Sequence, residues 1–245
     1  MKKSVFFLTF LVTSGNALAG ELSVGAITSY SPAVYKGLGT NIEPFPMIGY
    51  EGSHVYLRGT SAGYSLRPQG SPLNLIFGVA YDPRTLKPED SSNVDIKKLD
   101  ERKAGVLGGA TIQNISQIGL LEFSIGTDIA NNHNGLYAET VWKLPIINSL
   151  YTIIPEVGYS YNSKKLNNHL YGVSSEESAK TNFDEFDAGY NGMFFVGLNT
   201  QVHLFRNVTI LSSVRYSNLD SGLSKSPIID SSNAISATLG FNYSL

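Results

Sequence analysis

Residues 232–245 alternate between apolar and polar almost without interruption. Ile235, Ala237, Leu239, Phe241, Tyr243 and Leu245 fall on one face, and Ser236, Thr238, Gly240, Asn242 and Ser244 on the other. Side chains on a strand change face with a period of two, so this run reads as a β-strand with one greasy and one small, polar side. At the end of an exported chain, such a strand fits the closing strand of an outer-membrane barrel, with lipid outside and a polar interior. A strand of a soluble sandwich shows the same alternation, so the other segments have to separate the two.

The pattern recurs along the chain. In Pro72–Asp82 one face carries Leu73, Leu75, Phe77, Val79 and Tyr81. In Gly119–Ile129, Leu121, Phe123, Ile125 and Ile129 oppose Glu122, Ser124, Gly126 and Asp128. Leu150–Asn162 sets Tyr151, Ile153, Val157, Tyr159 and Tyr161 against Thr152, Glu156, Ser160 and Asn162, and Phe194–Leu204 reads alike. Segments 102–113, 135–144 and 208–218 follow less cleanly, and no helical period shows outside the N-terminus. Glu122, Asp128, Glu139 and Glu156 sit on polar faces, which suits either bulk water or a wet lumen. The fourteen tyrosines, many near segment ends, favour the barrel, because a ring with a polar tip suits a membrane–water interface.

The N-terminus reads as a secretory leader over residues 1–19. Lys2 and Lys3 form its charged start, Val5–Val12 its apolar stretch and Ala17-Leu18-Ala19 its cleavage site, leaving 20–245 as the mature barrel. The apolar stretch is too short for a spanning helix. The chain has no cysteine, which excludes disulfides and a lipid-anchored lipoprotein. Its formal charge of −2 becomes −4 without Lys2 and Lys3, which argues against a nucleic-acid partner. With modest apolar content, only a closed barrel places such a chain in a membrane.

Short links at Ile115–Gln117, Pro145–Ser149 and Phe205–Asn207 alternate with long polar ones at Ser31–Asn41, Pro83–Glu101, Ser163–Tyr190 and Asp220–Ser231. Short turns belong in the periplasm and long loops outside, and single-chain barrels have even strand numbers. A plain count gives eleven. Splitting His54–Pro68 into a short hairpin at Gly59-Thr60-Ser61-Ala62-Gly63 gives twelve; ten strands, with part of 41–66 plugging the lumen, is the alternative. The expected fold is therefore an all-β, antiparallel transmembrane β-barrel.

Several loop motifs carry a family resemblance. Tyr35-Lys36-Gly37, Glu43-Pro44-Phe45-Pro46, Tyr56-Leu57-Arg58-Gly59 with Ala62-Gly63-Tyr64, and Leu99-Asp100-Glu101-Arg102-Lys103 run in order along the chain. Tyr171-Gly172-Val173-Ser174 with Glu177-Ser178-Ala179 and Ser226-Pro227-Ile228-Ile229-Asp230 complete the set. Together these motifs resemble the MipA/OmpV outer-membrane proteins. The resemblance implies residence in the Gram-negative outer membrane beside lipopolysaccharide. It also implies a non-enzymatic scaffold role, joining a murein-cleaving lytic transglycosylase to a penicillin-binding synthase in cell-wall assembly. OmpV-like members are antigens with proposed adhesion roles. The family usually ends in an aromatic residue that helps assembly; Leu245 departs from this, which bears on insertion efficiency.

The residues themselves point to no catalytic, cofactor-binding or metal site. Asp128 and His133 lie near one outer loop with Glu139 following, and an acid–base site needs such groups within hydrogen-bond reach; a polar loop with an interior acid is the plainer reading. His54, His169 and His203 look isolated, without metal-ligand spacing. Loop 163–190 reads either as an adhesive surface or as a solvated mixed-charge loop. Lys87, Lys97, Lys98, Arg102 and Lys103 offer either lipopolysaccharide-phosphate contacts or local ion pairs. Asn207-Val208-Thr209 matches a glycosylation sequon by chance. As a pore, the lumen is expected to favour cations through Glu122 and Glu156.

Overall fold

A computed structural model describes residues 20–245, without the side chains of residues 41 and 43. The expected leader, 1–19, lies outside the described residues. The chain forms β1 (Glu21–Ser31), β2 (Asn41–Glu51), β3 (Val55–Arg58), β4 (Ser61–Ser65), β5 (Leu73–Asp82), β6 (Gly105–Ser116) and β7 (Gly119–Asp128). It continues through β8 (Leu136–Lys143), β9 (Ile146–Ile147), β10 (Tyr151–Asn162), β11 (Asn191–Phe205), β12 (Val208–Leu219) and β13 (Asn233–Ser244). Apart from β8 and β9, each strand pairs antiparallel with its neighbour in sequence, and β1 pairs with β13, which closes the sheet. β8 and β9 both pair with β10 on one side and act as a single strand broken at Leu144-Pro145. The barrel thus has twelve strands.

Closure solves a strict problem. Hydrocarbon offers no hydrogen bonds, so every backbone N–H and C=O in the membrane needs a partner within the sheet. The side chains follow the pleat in the sense the sequence predicts. Phe77, Phe123, Tyr159, Phe194, Leu239 and Phe241 stand exposed on the outside. The buried wall residues are mostly polar: Gln113, Glu122, Lys143, Glu156, Asn199 and Arg215 all point inward. The arrangement inverts a soluble core.

The hairpin that parity demanded is present. β3 and β4 join through Gly59-Thr60, and Gly59 has φ +57° while Thr60 keeps a negative φ. A positive φ at the first central residue only is the pattern of a II′ turn, which takes glycine there. The hairpin is short, with strands of four and five residues against the 9–11 or so of a full crossing.

The long loops do not hang free. Loop 163–190 holds two helices, α1 (Lys164–Tyr171) and α2 (Ser175–Lys180), which correct the reading of this segment as helix-free. Leu166 and Leu170, one turn apart on α1, are fully buried. α2 begins with a capping box, in which Ser174 and Glu177 satisfy each other's backbone N–H. Loops 32–40, 83–104, 163–190 and 220–232 share one hydrophobic cluster that includes Tyr35, Leu86, Ile96, Leu166, Leu223 and Ile228. This cluster is a small folded cap over the outer mouth.

Gly59→Val forces a β-branched residue into positive φ at the hairpin tip, at a cost of about 1–3 kcal/mol. A fall in the urea midpoint of the refolded barrel is the expected result.

Candidate functional site: a filled lumen under a locked cap

Cross-strand register places the charged groups of the lumen in pairs. Glu156 on β10, Gly197 on β11 and Arg215 on β12 share one row. Gly197 has no side chain, and a Cβ there would meet the Glu156 carboxylate at 2.7 Å. Arg215 therefore reaches across it to Glu156 at 2.6 Å, and its guanidinium lies 4.2 Å from the centre of the buried Phe195 ring. Nearer the periplasm, Lys143 bonds Glu122 at 2.6 Å while Gln113 donates to the other carboxylate oxygen at 2.8 Å. Arg58 holds Glu51 by two bonds, of 2.6 and 2.9 Å, and reaches Gln69 at 2.7 Å. At the outer end Arg84 grips Asp82 at 2.6 Å.

This corrects the expectation of a cation-favouring lumen. Glu122 and Glu156 are each neutralised by a cation within hydrogen-bond reach, so neither supplies a free negative charge. The acids show on polar faces in the sequence; the cations are not among the inward residues read there, and the pairing depends on register across several strands. Glu139 is different. It accepts a 2.7 Å bond from the Tyr137 hydroxyl and has no cationic partner among the described residues.

The cap is tied loop to loop. The Tyr35 hydroxyl donates to the Leu170 carbonyl at 2.9 Å, and the Ser226 hydroxyl donates to the Tyr171 carbonyl at 2.6 Å. Lys36 N–H donates to Ile228 O, and Asp230 N–H to Val34 O. Arg102 is buried and bonds the equally buried Glu177 at 2.7 Å, so it is not an exposed lipopolysaccharide contact; Lys98 pairs with Asp95. Burial alone would raise the Glu177 pKa. Backbone N–H bonds from Ser174 and Asp100 and the Arg102 charge outweigh it, and hold the carboxyl below its usual range. Asn167 pins α1 to the strand ends, donating to the carbonyls of Gly189 and Asn191. Loop 163–190 is thus the body of the cap rather than a free adhesive strand, with Glu176, Lys180, Asp184 and Glu185 on its exposed side.

Asp128 and His133 do meet, but as a loop brace. Asp128 accepts the backbone N–H groups of Ala130, His133 and Asn134, at 2.9, 2.7 and 3.1 Å. The His133 ring is 3.9 Å from that carboxylate, and its Nδ1 accepts from the Gly135 N–H. Glu139 bonds Tyr137 instead of either. The triad geometry, with a carboxylate orienting an imidazole toward a nucleophile, is not formed. His169, which looks isolated in sequence, packs its ring 5.2 Å from that of His133. His54 bonds Ser65 O, and His203 contacts Thr209. Among the described residues no group of three His, Asp or Glu side chains is placed to hold a metal ion.

Comparison with known proteins decides the family. The profile of the family described as MltA-interacting protein MipA matches residues 24–245. The chain belongs to the MipA family. It is 27% identical over 224 residues to the MltA-interacting protein of Escherichia coli K12, covering 91% of this chain and 90% of that protein. It is also 27% identical to the putative outer membrane protein YiaT of the same strain, over 98% of this chain and 96% of the relative. Outer membrane protein OmpV of Vibrio cholerae is 26% identical, over 99% of this chain and its whole length. Among solved structures, a COG4313 outer membrane channel from Pseudomonas putida F1 aligns over 96% of this chain and all of that one, at 9% identity and TM-score 0.44. This MipA-family protein is an outer-membrane β-barrel. Most of the motifs that carry its resemblance, from Tyr35 to Ile229, are the residues that lock the cap.

Two outcomes follow for this region. Arg215→Ala strands the buried Glu156 charge and is expected to destabilise the barrel by about 3–5 kcal/mol, read from its urea midpoint. Burial depresses the pKa of both His133 and His169; the His169 and Arg84 charges add to this at His133 and the Arg102 charge at His169, while Asp128 and Asp82, and at His169 the bond to the Lys103 carbonyl, oppose it. A base with a depressed folded pKa binds protons better when unfolded, so its contribution is present above about pH 6.5 and is lost as pH falls below it. Protection factors for the amides of loop 163–190, taken relative to intrinsic exchange at each pH, are therefore expected to fall from pH 7.5 to 5.5, and to fall again once pH drops below the ordinary glutamate range and Glu177 loses its charge.

Proposed function

We propose that this barrel is a non-enzymatic scaffold that holds a murein-cleaving lytic transglycosylase, and with it a penicillin-binding synthase, at the inner face of the outer membrane. The observation that carries the reading is the end-to-end similarity to a protein named for its interaction with MltA. The ion pairs that cross the lumen and the locked cap support work by contact. Residues 1–19 act in this reading as the export leader and 20–245 as the mature barrel.

The periplasmic rim offers a surface of the right character. Ile118 stands at the tip of the β6–β7 turn and is 76% exposed. Leu150 precedes β10 at 65%, and Phe205 ends β11 at 74%. Apolar residues at turn tips beyond the strands are available to a periplasmic protein, and such anchors carry most of an interface's energy.

Affinity capture of the tagged protein from cross-linked envelopes tests the proposal, with an unrelated barrel as control. A lytic transglycosylase or penicillin-binding protein is the expected partner, and recovery is expected to fall at least fivefold for the triple variant Ile118→Asp, Leu150→Asp, Phe205→Asp. Recovery of assembly machinery and lipopolysaccharide alone would defeat the scaffold reading.

A further inference from the structure

The short hairpin leaves a notch in the barrel wall. β3 and β4 stop at Arg58 and Ser61, opposite Gly49 of β2 and Ala80 of β5. On this side of β2 the outermost contact is the Gly59 N–H donating to the Ile48 carbonyl. Beyond it, from Met47 to Asn41, β2 pairs with β1 alone among the described residues. Backbone polar groups alternate sides along a strand, so Pro46, Pro44 and Ile42 share the phase of Ile48 and face the gap. Proline has no N–H, and two of the three donors such an edge would present are missing. The edge is thereby blunted against an added strand. Ile42 and Ile48 are exposed, giving the border an apolar surface. On the other side the hairpin tip stays bonded to β5, the Tyr81 N–H donating to the Thr60 carbonyl, and β5 runs only to Asp82; the gap therefore lies between the outer half of β2 and the start of loop 83–104.

A lumen cavity of about 130 Å³ lies behind the hairpin and reaches the border of the notch at Asp82, Pro83 and Arg84. Tyr56 of β3, Gly78 of β5, Gly109 of β6 and Gly126 of β7 make much of its wall, and the absence of side chains at the glycines leaves the space. Arg84 and Arg215 also reach it, but both are engaged by Asp82 and Glu156. Glu139 is therefore the unbalanced charge in a largely apolar chamber.

We propose that the notch is a lateral port through which a small amphiphile, with a short alkyl or aryl body and one ammonium group, passes from the outer leaflet into the lumen and rests its ammonium on Glu139. A carboxylate outside the ion pairs recognises the head by a charge-assisted hydrogen bond. The glycine wall takes the body. The port does not depend on the scaffold reading.

The test uses the full chain in phosphatidylcholine nanodiscs with two photoreactive probes, a diazirine-bearing octylammonium and its octanol counterpart. Labelled peptides are mapped by mass spectrometry. The ammonium probe is expected to mark the cavity walls of β5–β7 and the outer half of β2, and excess unlabelled octylammonium is expected to remove that labelling. Glu139→Gln is expected to lower it about tenfold and leave the alcohol unchanged. Gly126→Leu fills the chamber, and its Cβ meets nothing nearer than 3.5 Å; both probes are expected to lose the cavity. Lengthening β3 and β4 by two residues each narrows the notch and is expected to slow labelling severalfold. Labelling confined to the lipid-facing belt, equal labelling by both probes, or a rate indifferent to the longer hairpin would each overturn the proposal. The competition arm uses the unaltered chain, so it decides for or against the port even where a variant fails to insert.

Discussion

Backbone hydrogen bonding in a solvent that offers none governs this molecule. A chain without one long apolar segment crosses the membrane only if its strands find neighbours on both sides, and the pairing of β13 with β1 completes this everywhere but along the outer half of β2. Once the sheet is closed, the pleat divides the side chains without further instruction. Phe241 and Tyr243 go to lipid, while Asn242 and Gly240 go to the lumen. Closure also fixes the interior problem: charged and polar groups are brought into a confined space where an unpaired charge is costly.

The lumen answers that problem with pairs. Glu156 with Arg215, Glu122 with Lys143 and Glu51 with Arg58 each put two opposite charges within about a hydrogen bond, and neutral partners such as Gln113 satisfy further lone pairs. At the outer end, apolar residues from four loops form a small conventional core, with the buried Arg102–Glu177 bond between two of those loops. The barrel is inverted in its wall and ordinary in its cap. Glu139 and the cut-back hairpin are the two places where the pattern relaxes, and they border the same chamber.

Much of the wall was legible from sequence because a period of two survives in any strand facing two different solvents. The exposed faces of β5, β7, β10 and β11 are those that alternation assigns. Even the short hairpin was recoverable, since parity required a turn and Gly59-Thr60 was there to make it. The cap was not. α1 and α2 are too short to repeat a helical period, and charged residues such as Lys164 and Glu185 mask the buried Leu166, Leu170 and Val173. Ion pairing was half legible: the inward acids show in the pattern, whereas their cations and the meeting of Glu156 with Arg215 depend on an intervening glycine and the register of three strands. Asp128 and His133 were adjacent as expected, but only coordinates show that the carboxylate binds backbone N–H groups instead of the imidazole.

On the proposed scaffold reading, a barrel capped at its outer mouth and crossed by ion pairs works by what it touches, not by what it conducts. Current through refolded full-length protein in a planar bilayer tests this most directly. A silent bilayer, from protein that is demonstrably inserted and folded, is the predicted result. Discrete, sustained conductance steps at neutral pH would contradict it.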